Sequence, residues 1–310
     1  MRVIRFLLLV LLLNSLFSCS DENTNNEPRS VVWVGFSLKA RIYDADTGSE
    51  YSILEDIKRF KVEKDTGYAW VDHVDYNMSR IDCLGNVLAS CEEMDYFSDW
   101  DIDERNNVVW GAGGGRLIKW NRETGEMILI VDDCNAVHIA AVDSDGSCWA
   151  ADWDRVYRVS SDGDIEFAKE NFNKITLIDA CDEDGSCLIY DENEKTIYRY
   201  SSGGDLLYEL VLEMPTYDIY VRDDGCFYIT QDCWGVELYS NEGNKIDEIT
   251  FDPYIEIGKI DMNETAGVLW ACPSWGTELV KVKEDLSEEI MRVKLPGIPG
   301  WYFGVDGRGE

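Results

Sequence analysis

Histidine is nearly absent. The 310 residues contain two, His73 and His138, in separate stretches of the chain. With no pair of CxxC motifs beside them, a zinc centre has too few ligands to draw on. No G-x-S-x-G occurs, so there is no nucleophile elbow, and any Ser/His/Asp hydrolase would take its base from those two histidines. Basic residues are scarce: 28 Lys and Arg stand against 61 Asp and Glu, a formal net charge of −33. Such a surface repels nucleic acid and anionic lipid, and favours cations, basic partners or plain solubility. Beyond residue 18 no segment has the roughly 20 apolar residues a spanning helix needs, and nothing there has convincing helical periodicity.

The front of the chain is what remains of membrane chemistry. Arg2 and Arg5 precede an apolar run, Phe6 to Leu13, too short to span and of the length of a secretory signal. It ends Leu16-Phe17-Ser18-Cys19, which resembles the bacterial lipobox, with Phe17 larger than usual at its position. The resemblance implies removal of residues 1–18 and lipidation of Cys19. Residues 20–30 (SDENTNNEPRS) are polar and aperiodic, a flexible tether. The expectation is a domain held at a membrane surface only by its lipid. Ser20, where a retention signal such as Asp would sit, directs such lipoproteins to the outer membrane.

Ten cysteines are many for 310 residues. Setting Cys19 aside leaves nine, in a compartment where disulfides form, and an odd number leaves at least one thiol unpaired. Cys181 with Cys187, flanking one hairpin turn, and Cys233 with Cys272, at like ends of neighbouring units, are the candidate bridges.

The strongest signal is internal repetition. A bulky residue following a Gly- or Asn-containing turn recurs at Trp33, Trp70, Trp110, Trp149, Leu188, Tyr228 and Trp270, spaced 37 to 42 residues apart. That is the length of one four-stranded propeller blade. Each unit alternates apolar and polar residues with period two, and acidic turns containing Gly146, Gly185 and Gly225 separate its first two strands. The last residues, 301–306, match the start of a unit, whereas the unit at Val31 begins with its second strand. The prediction is therefore all-β: a seven-bladed β-propeller over residues 31–310, a monomeric domain closed by pairing of the C-terminal strand with the N-terminal blade.

The units resemble those of the NHL and two-component-regulator propellers, whose repeats carry a D-x-D-G-x-x-W core. Asp143-Ser144-Asp145-Gly146-Ser147-Cys148-Trp149 is the best match. The resemblance implies the fold and little about activity. The streptogramin lyases are similar in repeat style and blade number, but no Glu-x-His pair accompanies His73 or His138. The Glu/Asn/Asp metal set of the gluconolactonase-like propellers has no matching motif. The turn Asp143–Ser147 shares Asp spacing with a calcium loop but is too short and lacks the distal Glu, so no cofactor is expected and Ca²⁺ is the one metal left open.

In a propeller, the loops between blades and those between second and third strands share one face. That face is predicted to carry Arg59, His138, Tyr217 and Trp301 at the channel mouth. Its loops carry Asp152, Trp153 and Asp154, then Asp232 and Trp234, then Trp275. Tryptophan beside aspartate suits sugar stacking with hydrogen bonds to hydroxyls, or a protein hot spot. The expected function is non-catalytic binding of a protein or glycan partner at the cell envelope; the alternative is a metal-assisted lactonase or lyase.

Overall fold

The computed structural model describes residues 30–74, 77–91, 97–231, 235–251, 256–299, 302–306 and 308. Cys19, Asp232, Cys233, Trp234 and Trp301 lie outside these residues, as does the side chain of Trp275. Every regular element among them is a strand. Blade 1 consists of β1 (Val31–Phe36), β2 (Lys39–Asp44) and β3 (Glu50–Glu55), with β28 (Phe303–Val305) on its inner side. Blade 2 is β4 (Ile57–Val62), β5 (Ala69–His73), β6 (Met78–Ile81) and β7 (Val87–Cys91). Blade 3 is β8 (Asp99–Asp103), β9 (Val108–Gly113), β10 (Arg116–Asn121) and β11 (Met127–Val131). Blade 4 is β12 (His138–Val142), β13 (Ser147–Ala151), β14 (Arg155–Val159) and β15 (Ile165–Glu170). Blade 5 is β16 (Ile175–Ala180), β17 (Cys187–Asp191), β18 (Thr196–Tyr200) and β19 (Leu206–Val211). Blade 6 is β20 (Thr216–Val221), β21 (Phe227–Gln231), β22 (Gly235–Tyr239) and β23 (Lys245–Thr250). Blade 7 is β24 (Glu256–Asn263), β25 (Val268–Trp275), β26 (Glu278–Lys283) and β27 (Glu289–Lys294). The chain is a seven-bladed β-propeller.

The repeated bulky residues sit on the second strand of each blade, all with almost no exposed surface. Large buried rings dominate such inter-sheet packing. Three of the indoles also donate to the hairpin carbonyl of the next blade: Trp33 Nε1 to Gly67 O at 3.2 Å, Trp110 to Gly146 at 3.3 Å, Trp149 to Gly185 at 2.9 Å. A third-strand cation joins them. Lys119 Nζ donates to Gly146 O at 3.1 Å and lies 4.7 Å from the Trp110 ring centre. Arg199 Nη1 reaches Gly225 O at 2.6 Å, and Lys281 Nζ reaches Ala45 O at 3.0 Å. The hairpins accept these contacts because glycine takes the left-handed conformation there, with φ of 73° at Gly146 and 79° at Gly225. In the Asp143–Ser147 turn the Asp145 carboxylate caps the Ser147 N–H and binds Arg158 at 2.7 Å, so the turn is a structural hairpin.

The ends close the ring. β28 pairs antiparallel with β1, Trp33 opposite Gly304. Asp306, fully buried, accepts Ser30 Oγ at 2.5 Å, the Val31 N–H at 3.0 Å and Arg308 Nε at 2.8 Å. Glycine at 304 is required, since a Cβ there would come within 2.6 Å of Val62 on β4.

The Cys181–Cys187 bridge expected across the hairpin is not formed; both are free thiols. The two face opposite sides of their sheet. Cys187 packs with Trp149 and Ile189 against blade 4, and Cys181 with Leu188 and Phe227 against blade 6. Cys272 is likewise a buried free thiol.

Candidate binding site at the channel mouth

The innermost strands β4, β8, β12, β16, β20, β24 and β28 surround a channel of about 810 Å³. An inner strand has one unpaired edge, and here a carboxylate from the preceding blade fills it. Asp101 accepts the Ala141 N–H at 2.8 Å and Asp179 the Val221 N–H at 2.7 Å. Asp218 accepts that of Ile260 at 2.9 Å, and Asp261 that of Val305 at 2.8 Å. Three of these carboxylates also hold a lysine: Lys61 on Asp101 at 3.0 Å, Lys259 on Asp218 at 2.7 Å, and Lys64 on Asp261. Burial pushes Asp218 and Asp179 above the usual carboxylate range. None of these acids stands out in the sequence except as one charge inside an apolar strand, and their partners are about 40 residues away.

At the mouth, strand register aligns His138 with Arg59, Asp99, Leu177, Lys259 and Tyr302: each faces the residue two beyond the bulky second-strand position, or its blade 1 counterpart. Four inner strands carry a β-bulge near their start. An extra residue shifts the side chains that follow it, which is why sequence spacing alone misjudges this ring. Tyr217, on the bulged start of β20, is exposed outside the channel lining, and its N–H donates to Thr230 Oγ1 at 3.2 Å.

Arg59 faces the mouth but is fully engaged. Its Nε and Nη2 bind Asp72 at 2.8 and 2.7 Å, and Nη1 and Nη2 bind the Ser98 and Phe97 carbonyls at 2.7 and 2.8 Å. Its guanidinium lies 4.9 Å from the Trp100 ring centre, so it staples blade 2 to blade 3.

His138 differs. Its Nε2 is buried without a hydrogen-bond partner, and burial lowers its pKa, against the opposing pull of Asp99. Trp153 stands edge-on to it, ring centres 6.2 Å apart, with 53% of its surface exposed. The loop carrying Trp153 is fixed. Asp152 Oδ1 accepts the Trp153 N–H at 2.8 Å, Trp153 O accepts the Ile175 N–H at 2.7 Å, and Asp154 O accepts the Phe172 N–H at 3.3 Å. His73, by contrast, is bonded to Ser79 Oγ at 2.6 Å. Among the predicted residues that are described, the structure therefore brings His138, Asp152, Trp153 and Asp154 together in blade 4.

The far end of the channel is acidic. Glu104, Asp143, Asp182, Asp223 and Glu264, one from each of five successive blades, line it. Asp143 hydrogen-bonds the carboxyl of Asp103; burial first, then Asp182, pushes it up to about 9. Asp182 and Glu104 are each pushed up to about 7, chiefly by burial. Among the described residues, no three His, Cys, Asp or Glu side chains are grouped to hold a metal ion.

No family model matches the chain, and no curated protein does. Solved structures share its architecture. A structure described as streptogramin B lyase is 16% identical, with a TM-score of 0.62 over 77% of this chain and 83% of that one. A chain of a mitotic checkpoint complex is 13% identical, with a TM-score of 0.67 over 79% of this chain and 81% of that one. At these identities the likeness is one of fold: the chain is a β-propeller similar in shape to proteins of unrelated activity.

Proposed function

We propose that the chain is a lipid-anchored envelope protein whose propeller binds, without catalysis, a glycan or protein partner through the blade 4 side of its channel mouth. The observation that carries this reading is Trp153, a half-exposed indole on a loop fixed by backbone hydrogen bonds, beside an imidazole nitrogen with no partner. A rigid aromatic loses little entropy on binding and offers both apolar area and a donor. Its test is capture from envelope extract by the purified protein, wild type against Trp153→Ala. The variant should fold normally and lose the captured partner. Anchoring is tested separately: Cys19→Ser should abolish fatty-acid incorporation and move the protein out of the membrane fraction.

The same unpartnered imidazole supports a second reading, a metal-assisted lactonase or lyase with His138 as general base. It requires turnover that is lost both on chelation and in His138→Ala.

A further inference from the structure

We infer that the channel mouth receives the chain end of a neutral oligosaccharide, Trp153 stacking on one sugar and His138 Nε2 bonding a hydroxyl of the next. This rests on the binding role proposed above and names its ligand. The cavity, about 810 Å³, falls in the range of roughly 300–1,000 Å³ typical of small-ligand sites. A flat protein epitope would leave such a cavity unfilled. Seven inner strands enclose it, so an extended polymer cannot lie across its interior; a terminus must enter along the axis.

Charge then selects among chain ends. Eleven carboxyl groups and five cations line the channel, and Arg59, Lys61, Lys64 and Lys259 are already ion-paired. A uronate or sialate terminus would enter a field of its own sign with no free cation to meet it. Sugar hydroxyls suit the lining, because they can donate to carboxylates and accept from a donor. His138 carries the specificity. Leaving a buried ring nitrogen unbonded costs free energy that a ligand hydroxyl recovers. Burial also favours the uncharged imidazole, which has one donor and one acceptor nitrogen to match a hydroxyl. Trp153, edge-on to that ring, leaves about half its surface open to a sugar face.

The test is binding of the purified protein to a printed array of neutral, uronate- or sialate-terminated and glucosamine-terminated oligosaccharides, followed by titration of the best ligand. Neutral termini should be retained and acidic ones not. Trp153→Ala should weaken binding more than tenfold. His138→Ala should weaken it about tenfold, the worth of one hydrogen bond, and His138→Gln should recover part of that loss. Should His138→Ala not fold, the Gln variant and competition by deoxy sugars lacking single hydroxyls give the same readout. Preference for acidic or amine-bearing termini, or equal binding by wild type and both His138 variants, would overturn the assignment. If no array glycan binds but envelope capture remains sensitive to Trp153→Ala, the glycan inference fails and the binding role stands. If capture is also insensitive to that change, both fail.

Discussion

Cys148, Cys187 and Cys272 are enclosed thiols, and burial pushes their ionisation well above the usual thiol range. The thiolate is the reactive form. Iodoacetamide at pH 8 should therefore leave these three unlabelled in the native protein and label them fully in guanidinium. Cys226 is only half-buried and should react first of the four; peptide mass mapping reads the order. Arg59 and Asp72 make a different prediction. One oxygen of Asp72 already lacks a partner, and removing Arg59 strands the rest of a buried carboxylate. Arg59→Ala should cost about 3–5 kcal/mol in chemical denaturation, the range for breaking a buried pair. Individual residues were legible in the sequence where they repeat with the blade. The seven bulky second-strand positions and the glycines at 146, 185 and 225 fall where the period places them. The third-strand cations Lys119 and Arg199 are equally visible in LIKWN and TIYRYS. What they bind is not, because the acceptor is a backbone carbonyl of the next blade.

At the scale of the element, alternation identified strands but not their register. A bulge changes the residue count of one strand without disturbing its polar pattern, and four inner strands have one near the mouth. The face was thus predictable as a region, while Asp99, Lys259 and Tyr302 became neighbours of His138 only in three dimensions. The closing strand β28 was legible because residues 301–306 repeat the beginning of a unit. Its three paired residues are all that cover the inner edge of β1. Deleting residues 302–310 should expose that edge and strip Ser30 and Val31 of their bonds to Asp306. The truncated protein should self-associate in light scattering and unfold over a broader, earlier transition.

For the whole molecule, the acidic far end of the channel sets how stability varies with pH. Asp143, Asp182 and Glu104 have folded pKa values of about 9, 7 and 7, above those of free carboxyls near 4. The folded state therefore holds protons that the unfolded state has released, so these groups favour folding below pH 4 and progressively less as pH rises through 7 to 9. The melting temperature should climb as pH is lowered from 9 to 6, and Asp143→Asn should flatten the upper part of that slope. A carboxamide keeps a donor for Asp103 and never acquires the disfavoured charge.

The latch at Ser30 and Asp306 fixes how the ring meets mechanical load. The residues before Ser30 join the fold at the very position Asp306 grips, and β1 runs on from there between β28 and β2. A pull from the N-terminal side is thus directed along β1. It is resisted in shear by both ladders at once rather than by peeling bonds one at a time, so the seam of the circle is also its strongest point of suspension.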